Sequence, residues 1–316
     1  MAEAGTSPGP DCLVITGATA TGKTAVAVQV ARMLDGEVIS VDSRQVYRGM
    51  DIGTAKPTVA ERCGVPHHGF DLVDPSARFN AGRFAALARQ WMAEIRGRGR
   101  VPILTGGTGF FLKALTDPLF EEPVLDTDLR ERWKAYLRDV PPEALARWAA
   151  LLDPAAAARA PDRQRLARIV EITTLTGQRL SWWHAHAPSA TPPVVPLVAV
   201  LELPRDMLYA RIEARVDSMM EAGLVDEVRE LLGRGYSERD PGLNATGYIE
   251  VIPALRGEYD LAEAVVRIKA ATRQYARRQL TWLRHQLPPG TSRLDARRDA
   301  GGLATDIVAL WREADG

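Results

Sequence analysis

The chain has 316 residues, of which 46% are hydrophobic and 25% are charged. Its 40 basic and 40 acidic residues cancel to a formal net charge of zero, so only the distribution of charge can point to a polyanionic partner. Two cysteines without a recognisable spacing exclude a disulfide framework and suit a reducing cytoplasm. No apolar run approaches the roughly 20 residues of a membrane-spanning helix. We therefore expect a cytoplasmic protein without a membrane segment and, since nothing marks an interface, a monomer.

The first part of the chain predicts strands that alternate with helices. Residues 1–10 are small and contain Pro and Gly, which predicts a disordered tail and not a signal peptide. Short apolar runs bounded by turn residues then predict four β-strands: Cys12 to Ile15, Glu37 to Val41, Val101 to Thr105, and Val194 to Leu203. Helical patterns lie between them, so the sequence indicates an α/β fold with a parallel sheet.

The strand signal disappears between residues 117 and 190. Periodic segments rich in Arg, Ala, Leu and Trp predict an inserted all-helical subdomain there. Residues 11–116 and 191–290 are then expected to form the α/β core, which ends in a long basic helix. Residues 291–316 are predicted to be a tail with one weak amphipathic helix.

The turn after the first strand carries the strongest chemical signature. Residues 17–24 have the spacing G-x-x-x-x-G-K-[ST], between a predicted strand and a predicted helix. Glycines turn backbone amides around phosphate oxygens, Lys23 neutralises a terminal phosphate, and Thr24 can ligate Mg²⁺. The sequence therefore predicts a P-loop NTPase-like fold that binds a di- or triphosphate, such as ATP. The loop residues are Gly17, Ala18, Thr19, Ala20, Thr21, Gly22, Lys23 and Thr24.

Polar residues also follow the other predicted strands, at the sheet edge where open α/β folds bind ligands. Asp42 either caps the next helix or faces the phosphate loop as a metal ligand or general base. The turn of residues 106–109, Gly-Gly-Thr-Gly, either presents amides and the hydroxyl of Thr108 to an anion or is a plain structural turn. Arg211 and Arg215 lie one helical turn apart, so they either clamp phosphate oxygens together or are solvated.

A basic segment lies in the last predicted core helix. Residues 264–292 contain no acidic residue, and positions 269, 273, 277 and 284 cluster within about 80° of one another on a helix. Segregated charge in a chain without net charge indicates a phosphate-backbone partner, and a solvated helix face is the alternative. The basic residues of this segment include Arg267, Lys269, Arg273, Arg277, Arg278 and Arg284.

The order of these motifs resembles that of the tRNA dimethylallyltransferases, also called isopentenylpyrophosphate transferases. Besides the phosphate loop, the resemblance lies in residues 40–47, 50–57, 66–68, 106–109, 164–168, 246–248 and 272–279. The stretch Asp-Ile-Gly-Thr-Ala-Lys-Pro at 51–57 is highly specific to that family, and the resemblance runs from about residue 12 to 285. It implies transfer of a dimethylallyl group from its diphosphate to N6 of the adenosine just 3′ of the anticodon. The tRNAs would be those that read codons beginning with U.

The resemblance also assigns roles to residues. Asp42 would be the general base on the adenine amine, while Thr108 and Arg215 would lie near the reacting diphosphate. The helical insertion is expected to contact the anticodon stem-loop of tRNA, and Mg²⁺ is the expected cofactor. The residues expected to contact tRNA are Asp42, Ser43, Arg44, Gln45, Gln164, Arg165, Leu166, Ala167, Arg168, Asn244, Gly247, Tyr248, Thr272, Arg273, Gln274, Arg277, Arg278 and Gln279. Phe111 and Ile249 depart from the family, which often has Tyr and a basic or polar residue there.

Two other functions are compatible with the motifs. A small-molecule kinase would hold ATP in the loop and use Asp42 to orient an acceptor hydroxyl. A non-catalytic RNA-binding protein would use the nucleotide site as a switch. The basic helix and the helical insertion argue against the kinase, and a protein that only binds RNA should tolerate Asn at position 42.

Overall fold

The computed structural model describes residues 9–117, 125–160, 162–186 and 191–315. Contacts divide the chain into two compact units, one formed by residues 1–117 and 193–316 and the other by residues 118–192. The disordered tail predicted for residues 1–10 falls mainly on residues 1–8. These residues, and residues 118–124, 161 and 187–190 of the predicted insertion, lie outside the described residues.

The first unit is built on a six-stranded sheet with the strand order β3-β2-β4-β1-β5-β6. All of its strand pairs are parallel, and β1 lies between β4 and β5, so that Leu13 pairs with both Ile103 and Leu197. This arrangement confirms the predicted α/β fold with a parallel sheet. The strands are β1 (Cys12–Gly17), β2 (Gly36–Ser40), β3 (His67–His68), β4 (Val101–Gly106), β5 (Pro196–Glu202) and β6 (Ser292–Asp295).

Helices cover both faces of this sheet. Successive strand residues point to opposite faces, and all six residues of β1 are buried. Leu13 and Ile15 pack with α1 and α13 on one face, and Cys12 and Val14 pack with α2 and α3 on the other. Burial on both faces explains why the strands are continuous apolar runs. These helices are α1 (Lys23–Leu34), α2 (Ala81–Gly97), α3 (Gly109–Thr116) and, near the C-terminus, α13 (Ala300–Asp315).

Four further helices of the first unit form a third core cluster with the segment that follows β2. Val46 and Met50 of that segment are fully buried against this cluster, as is Tyr248. The packing fixes the chain immediately after Asp42, next to the carboxyl edge of the sheet. The helices are α9 (Arg205–Glu221), α10 (Leu224–Gly233), α11 (Tyr248–Leu255) and α12 (Leu261–His285).

The C-terminal segment is more than the tail with a weak helix that the sequence predicts. Its strand β6 pairs in parallel with β5 and extends the sheet. Leu303, Ile307 and Trp311, spaced four residues apart on α13, are buried in the core that also contains α1. This segment is therefore an integral part of the sheet and of its hydrophobic core.

The second unit is helical in its described residues and has a core of its own. Leu145, Ile169 and Ile172 are buried there, and the buried carboxylate of Glu171 pairs with Arg130 and Arg168. Across the described part of the chain, no helix is both long and apolar enough to cross a bilayer. The helices are α4 (Thr127–Asp139), α5 (Pro142–Leu152), α6 (Pro154–Ala157), α7 (Arg163–Thr176) and α8 (Leu180–His186).

Candidate active site

The phosphate loop joins β1 to α1 and has the backbone that its glycines permit. Gly22 has φ +87°, a left-handed conformation that glycine adopts without a steric cost. A β-carbon at Gly17 would lie 2.6 Å from the carbonyl oxygen of Leu201, so this position also requires the smallest residue. The Lys23 ammonium donates a hydrogen bond to the Ala18 carbonyl at 2.6 Å, which holds the positive charge over the loop.

Asp42 lies just after β2, and the segment that follows it is a turn and not the helix considered from the sequence. Its Oδ1 accepts hydrogen bonds from the backbone amides of Arg44 at 2.8 Å and Gln45 at 3.4 Å, which is a local turn-capping role. Burial raises the pKa of this carboxyl, although the two amides and the charge of Lys23 act against the shift. The carboxylate therefore lies within electrostatic reach of the phosphate-loop lysine.

Arg215 on α9 also contacts the phosphate loop. Its Nη1 donates to Thr19 Oγ1 at 3.3 Å, and its charge interacts with both Lys23 and Asp42. The pKa of Lys23 is lowered to about 7, first by burial and then by the charge of Arg215. Arg211 does not join this group, because its guanidinium donates to the carbonyl of Ala296 at 3.4 Å. Of the two arginines, only Arg215 faces the loop.

Thr108 connects the turn after β4 to the same centre. Its hydroxyl oxygen accepts a hydrogen bond from the Ser43 amide at 3.1 Å, next to Asp42. Burial, followed by the charge of Asp42, raises the pKa of Tyr275 to about 12, and interactions with the side chains of Thr108 and Gln279 act against that shift. The structure therefore brings Lys23, Asp42, Thr108 and Arg215 together, and adds Tyr275, which is not among the site residues expected from the sequence.

Close approach explains the glycines of the turn at residues 106–109. A β-carbon at Gly106 would lie 2.1 Å from the Val41 carbonyl oxygen, and one at Gly107 would lie 2.1 Å from Gln279 Nε2. These glycines allow β2 and α12 to approach the turn. The anion-binding role that we expected from the sequence is therefore not needed to account for them.

Several residues expected to contact tRNA are engaged within the protein. Gln45 accepts from Ser40 Oγ at 2.8 Å and donates to the carbonyls of Thr54 and Ala55, so both ends of its carboxamide are occupied. Arg44 donates to the Pro241 carbonyl at 2.9 Å. Tyr248 is fully buried, which leaves its ring no surface to offer to a nucleic acid. These side chains therefore have internal partners or are buried in the protein without tRNA, and their contact with tRNA stays a prediction.

Other members of that set are available at the surface. In the first unit, Gln274, Arg277 and Arg278 are exposed on α12, and Asn244 is exposed shortly before α11. In the second unit, Gln164 and Arg165 are exposed on α7. On α7, Leu166 and Ala167 pack against the core of their own unit and Arg168 pairs with Glu171. Gly247 has φ +100° and donates its amide to Glu250, and Thr272 Oγ1 donates to the Ile268 carbonyl.

Glu227, which no sequence motif singled out, holds the backbone of the family-specific stretch at residues 51–57. Glu227 on α10 accepts hydrogen bonds from the amides of Asp51, Ile52 and Gly53 at 2.8, 2.7 and 3.1 Å, and from the Tyr248 hydroxyl at 2.5 Å. Lys56 is buried and pairs with Asp51 and Asp71. These contacts hold the stretch as an ordered loop, and the carbonyls of Thr54 and Ala55 connect it to Gln45, three residues after Asp42.

The sheet, the loop after β1 and the converging charges define a P-loop-type α/β protein that holds a carboxylate near the lysine of that loop. The model of the IPP transferase family matches residues 45–286, and that of isopentenyl transferase matches residues 10–66. The chain belongs to the tRNA dimethylallyltransferase family, also described as IPP transferases. It is 46% identical over 313 residues to the tRNA dimethylallyltransferase of Methylibium petroleiphilum, covering 96% of this chain and 94% of that protein.

Other comparisons agree. The tRNA dimethylallyltransferase of Roseiflexus sp. is 42% identical over 305 residues, covering 96% of this chain and 99% of that protein. The crystal structure of a tRNA isopentenylpyrophosphate transferase from Bacillus halodurans is 38% identical, with a TM-score of 0.71 over 96% of each chain. A eukaryotic dimethylallyltransferase, described in crystallographic snapshots as acting on tRNA, is 29% identical. It superposes with a TM-score of 0.78, covering 90% of this chain and 73% of that chain.

Proposed function

We propose that this protein transfers the dimethylallyl group of dimethylallyl diphosphate to N6 of the adenosine just 3′ of the anticodon, in tRNAs that read codons beginning with U. The observation that carries the proposal is the meeting of Lys23, Asp42 and Arg215 at the carboxyl edge of the sheet. Two cations and one carboxylate at the end of a phosphate loop match a reaction that releases a diphosphate and removes one proton.

Each group has a role in this reaction. The bond between the allylic carbon and the diphosphate oxygen breaks, a bond from that carbon to N6 forms, and the N6 proton passes to the Asp42 carboxylate. Lys23, Arg215 and the loop amides stabilise the charge that accumulates on the leaving diphosphate, an effect that is strongest where water is excluded. Thr108 is held beside Asp42 by the Ser43 amide, where it can orient the reacting groups.

A magnesium ion fits the donors present, with Thr24 as its protein ligand. The described residues contain no group of three or more His, Cys, Asp or Glu side chains that could hold a metal by themselves. Mg²⁺ typically takes one or two protein oxygens and completes its shell with phosphate oxygens and water, which the Thr24 hydroxyl at the start of α1 allows. When bound, the ion would neutralise charge on the leaving diphosphate.

The target adenine has to leave its stack in the anticodon loop to reach Asp42, because a stacked base cannot enter such a site. The exposed basic residues Arg277 and Arg278 on α12 and Arg165 on α7 are the groups that we assign to the tRNA backbone. Backbone contacts position the substrate, and reaction at a single nucleotide depends on the flipped base.

The deciding experiment is incubation of the protein and tRNA with dimethylallyl diphosphate and, separately, with ATP, followed by mass spectrometry of the tRNA nucleosides. A dimethylallyl addition to adenosine only in the first reaction supports the proposal. Unmodified adenosine in both reactions would contradict it, and consumption of ATP in the second reaction would then favour the kinase over a non-catalytic RNA-binding role.

A further inference from the structure

We propose that Gln279 is a positioning residue of the transfer reaction, which joins the phosphate loop to the turn of residues 106–109 and so holds the donor site in register with Thr108 and Asp42. The inference rests on the proposed function, because the role of the phosphate loop as the donor diphosphate site belongs to that proposal.

The carboxamide of Gln279 connects two loops that are far apart in the chain. Its Oε1 accepts a hydrogen bond from the Thr19 amide of the phosphate loop at 2.8 Å. Its Nε2 donates to the Gly107 carbonyl at 3.0 Å. The Tyr275 hydroxyl lies close enough to Gln279 and Thr108 for both side chains to influence its pKa. One side chain thereby fixes the separation between the loop and the turn.

Burial and close packing show that this bridge is built into the fold. Gln279 is 6% exposed, so it faces inward, whereas Arg277 and Arg278 on the same helix are exposed. The approach of Gln279 is so close that Gly107 has no space for a β-carbon. A buried amide whose two ends are both paired is costly to disturb, because either partner left alone would be an unsatisfied polar group. The inward orientation does not fit the direct tRNA contact that the family resemblance implies for this residue.

The bridge has a specific kinetic consequence. The Arg215 guanidinium donates a hydrogen bond to the Thr19 hydroxyl. A shift of Thr19 would therefore move the cation that is expected to face the leaving group. Small displacements of reacting groups lower rates strongly, on the order of a hundredfold for about 1 Å. Loss of the bridge is therefore expected to affect donor binding and turnover, while the exposed tRNA-contacting residues stay in place.

The test uses Gln279→Met, which keeps the length of the side chain but makes no hydrogen bond, and Gln279→Glu, which keeps the acceptor for the Thr19 amide but loses the donor to Gly107. Initial rates give kcat and the KM for dimethylallyl diphosphate, filter binding gives the Kd for tRNA, and thermal melting reports folding. For Gln279→Met we expect kcat to fall at least about tenfold and the donor KM to rise, with the tRNA Kd within about threefold of the parent. If Gln279→Met does not fold, the same loss is expected of Gln279→Glu.

The matched control is Gln286→Met at the end of the same helix. Gln286 accepts from Lys113 Nζ at 3.1 Å at an exposed position, so its replacement removes a comparable bridge away from the site. Unchanged kcat and KM in a folded Gln279 variant, or a loss confined to tRNA affinity, would overturn the inference. Failure of the parent to transfer a prenyl group would instead reject the proposed function, and the two failures are distinguishable.

Discussion

Arg273 on α12 donates to the carboxylate of Glu213 on α9, with 2.6 Å between Nη1 and Oε1. One turn earlier, Lys269 pairs with Asp217 of α9 at 2.6 Å. Two of the four clustered basic positions, 269 and 273, are therefore neutralised by carboxylates of the neighbouring helix. The apparent charge segregation of the sequence arises because the acidic partners lie about 50 to 60 residues upstream on a different element.

The first prediction concerns Arg277, which is exposed and has no ion-pair partner among the described residues. Arg277→Gln should weaken tRNA binding. It should also make the negative slope of log K against log salt shallower by about 1, as expected for the loss of one phosphate contact. Filter binding at several salt concentrations measures the slope. Arg267→Gln is the control, because Arg267 on the same helix already pairs with Glu263 at 2.7 Å. Equal slopes for Arg277→Gln and the control would show that this face does not meet the tRNA backbone.

The second prediction concerns Asp42 as the proton acceptor. Asp42→Asn should lower kcat by about 10² to 10⁴, the usual contribution of a general base, with tRNA affinity retained. Burial raises the pKa of Asp42, so the carboxylate protonates at a higher pH than an ordinary aspartate and the parent loses activity as pH falls through that value. The residual activity of the variant should lack this dependence in pH-rate profiles.

A capping role alone would give a different result. Asp299 at the start of α13 accepts from the Gly302 amide at 2.8 Å, so Asp299→Asn is a control for the loss of a local carboxylate-amide contact. Turnover of Asp42→Asn at the rate of this control would exclude Asp42 from the chemistry.

The third prediction concerns proton uptake by Lys23. With its pKa lowered to about 7, Lys23 is only partly protonated in the free protein at neutral pH. A diphosphate favours the charged ammonium, so binding should take up a proton and the affinity for pyrophosphate should fall as pH rises above about 7. The low pKa also means that the unfolded chain binds more protons than the folded one between about pH 7 and 10, so Lys23 makes stability rise with pH there.

Calorimetric titration of pyrophosphate in buffers of different ionisation enthalpy measures the proton uptake. Lys23→Met supplies the background exchange that comes from the ligand itself. The same uptake by the parent and by Lys23→Met would contradict a titrating lysine in the site.

The fourth prediction uses the packing of α12 on the turn after β4. A β-carbon at Gly109 would lie 2.2 Å from Cδ2 of Trp282, so Gly109→Ala must displace an indole ring. We expect a loss of about 1–3 kcal/mol in the free energy of unfolding, the range typical of overpacking. Gly97→Ala is the matched control, since nothing lies within 4 Å of its β-carbon position. Urea unfolding compares the two variants. Equal free energies of unfolding would show that the indole of Trp282 moves aside without a loss of stability.

The elements that sequence patterns predicted well are those with strong local signals. The four apolar runs became β1, β2, β4 and β5 because parallel strands buried on both faces have to be apolar throughout. In contrast, β3 contains two histidines and β6 reads Ser-Arg-Leu-Asp, and neither has an apolar pattern. Edge strands such as these are held by backbone pairing with a neighbour, which leaves no mark in composition.

In the site, too, residues with a local sequence signal could be predicted and those held by distant contacts could not. The phosphate loop and Asp42 follow strands directly, so the topology rule for ligand sites was enough to bring them together. Glu227 and Gln279 are polar residues inside helices, a residue type that is usually solvent-exposed, and most of their partners are backbone groups on distant loops. A contact between a side chain and a remote amide requires the tertiary structure to be known.

The sheet order also has a consequence for how the protein is made. The strand β1 and its phosphate loop are synthesised before the other five strands, and both flanking strands and the α13 helix that packs with α1 follow much later in the chain. Pairings between segments so distant in the chain form slowly, and until then the nascent polypeptide carries an open strand edge. The loop thus gains its working geometry only after translation has passed Arg215 and Gln279.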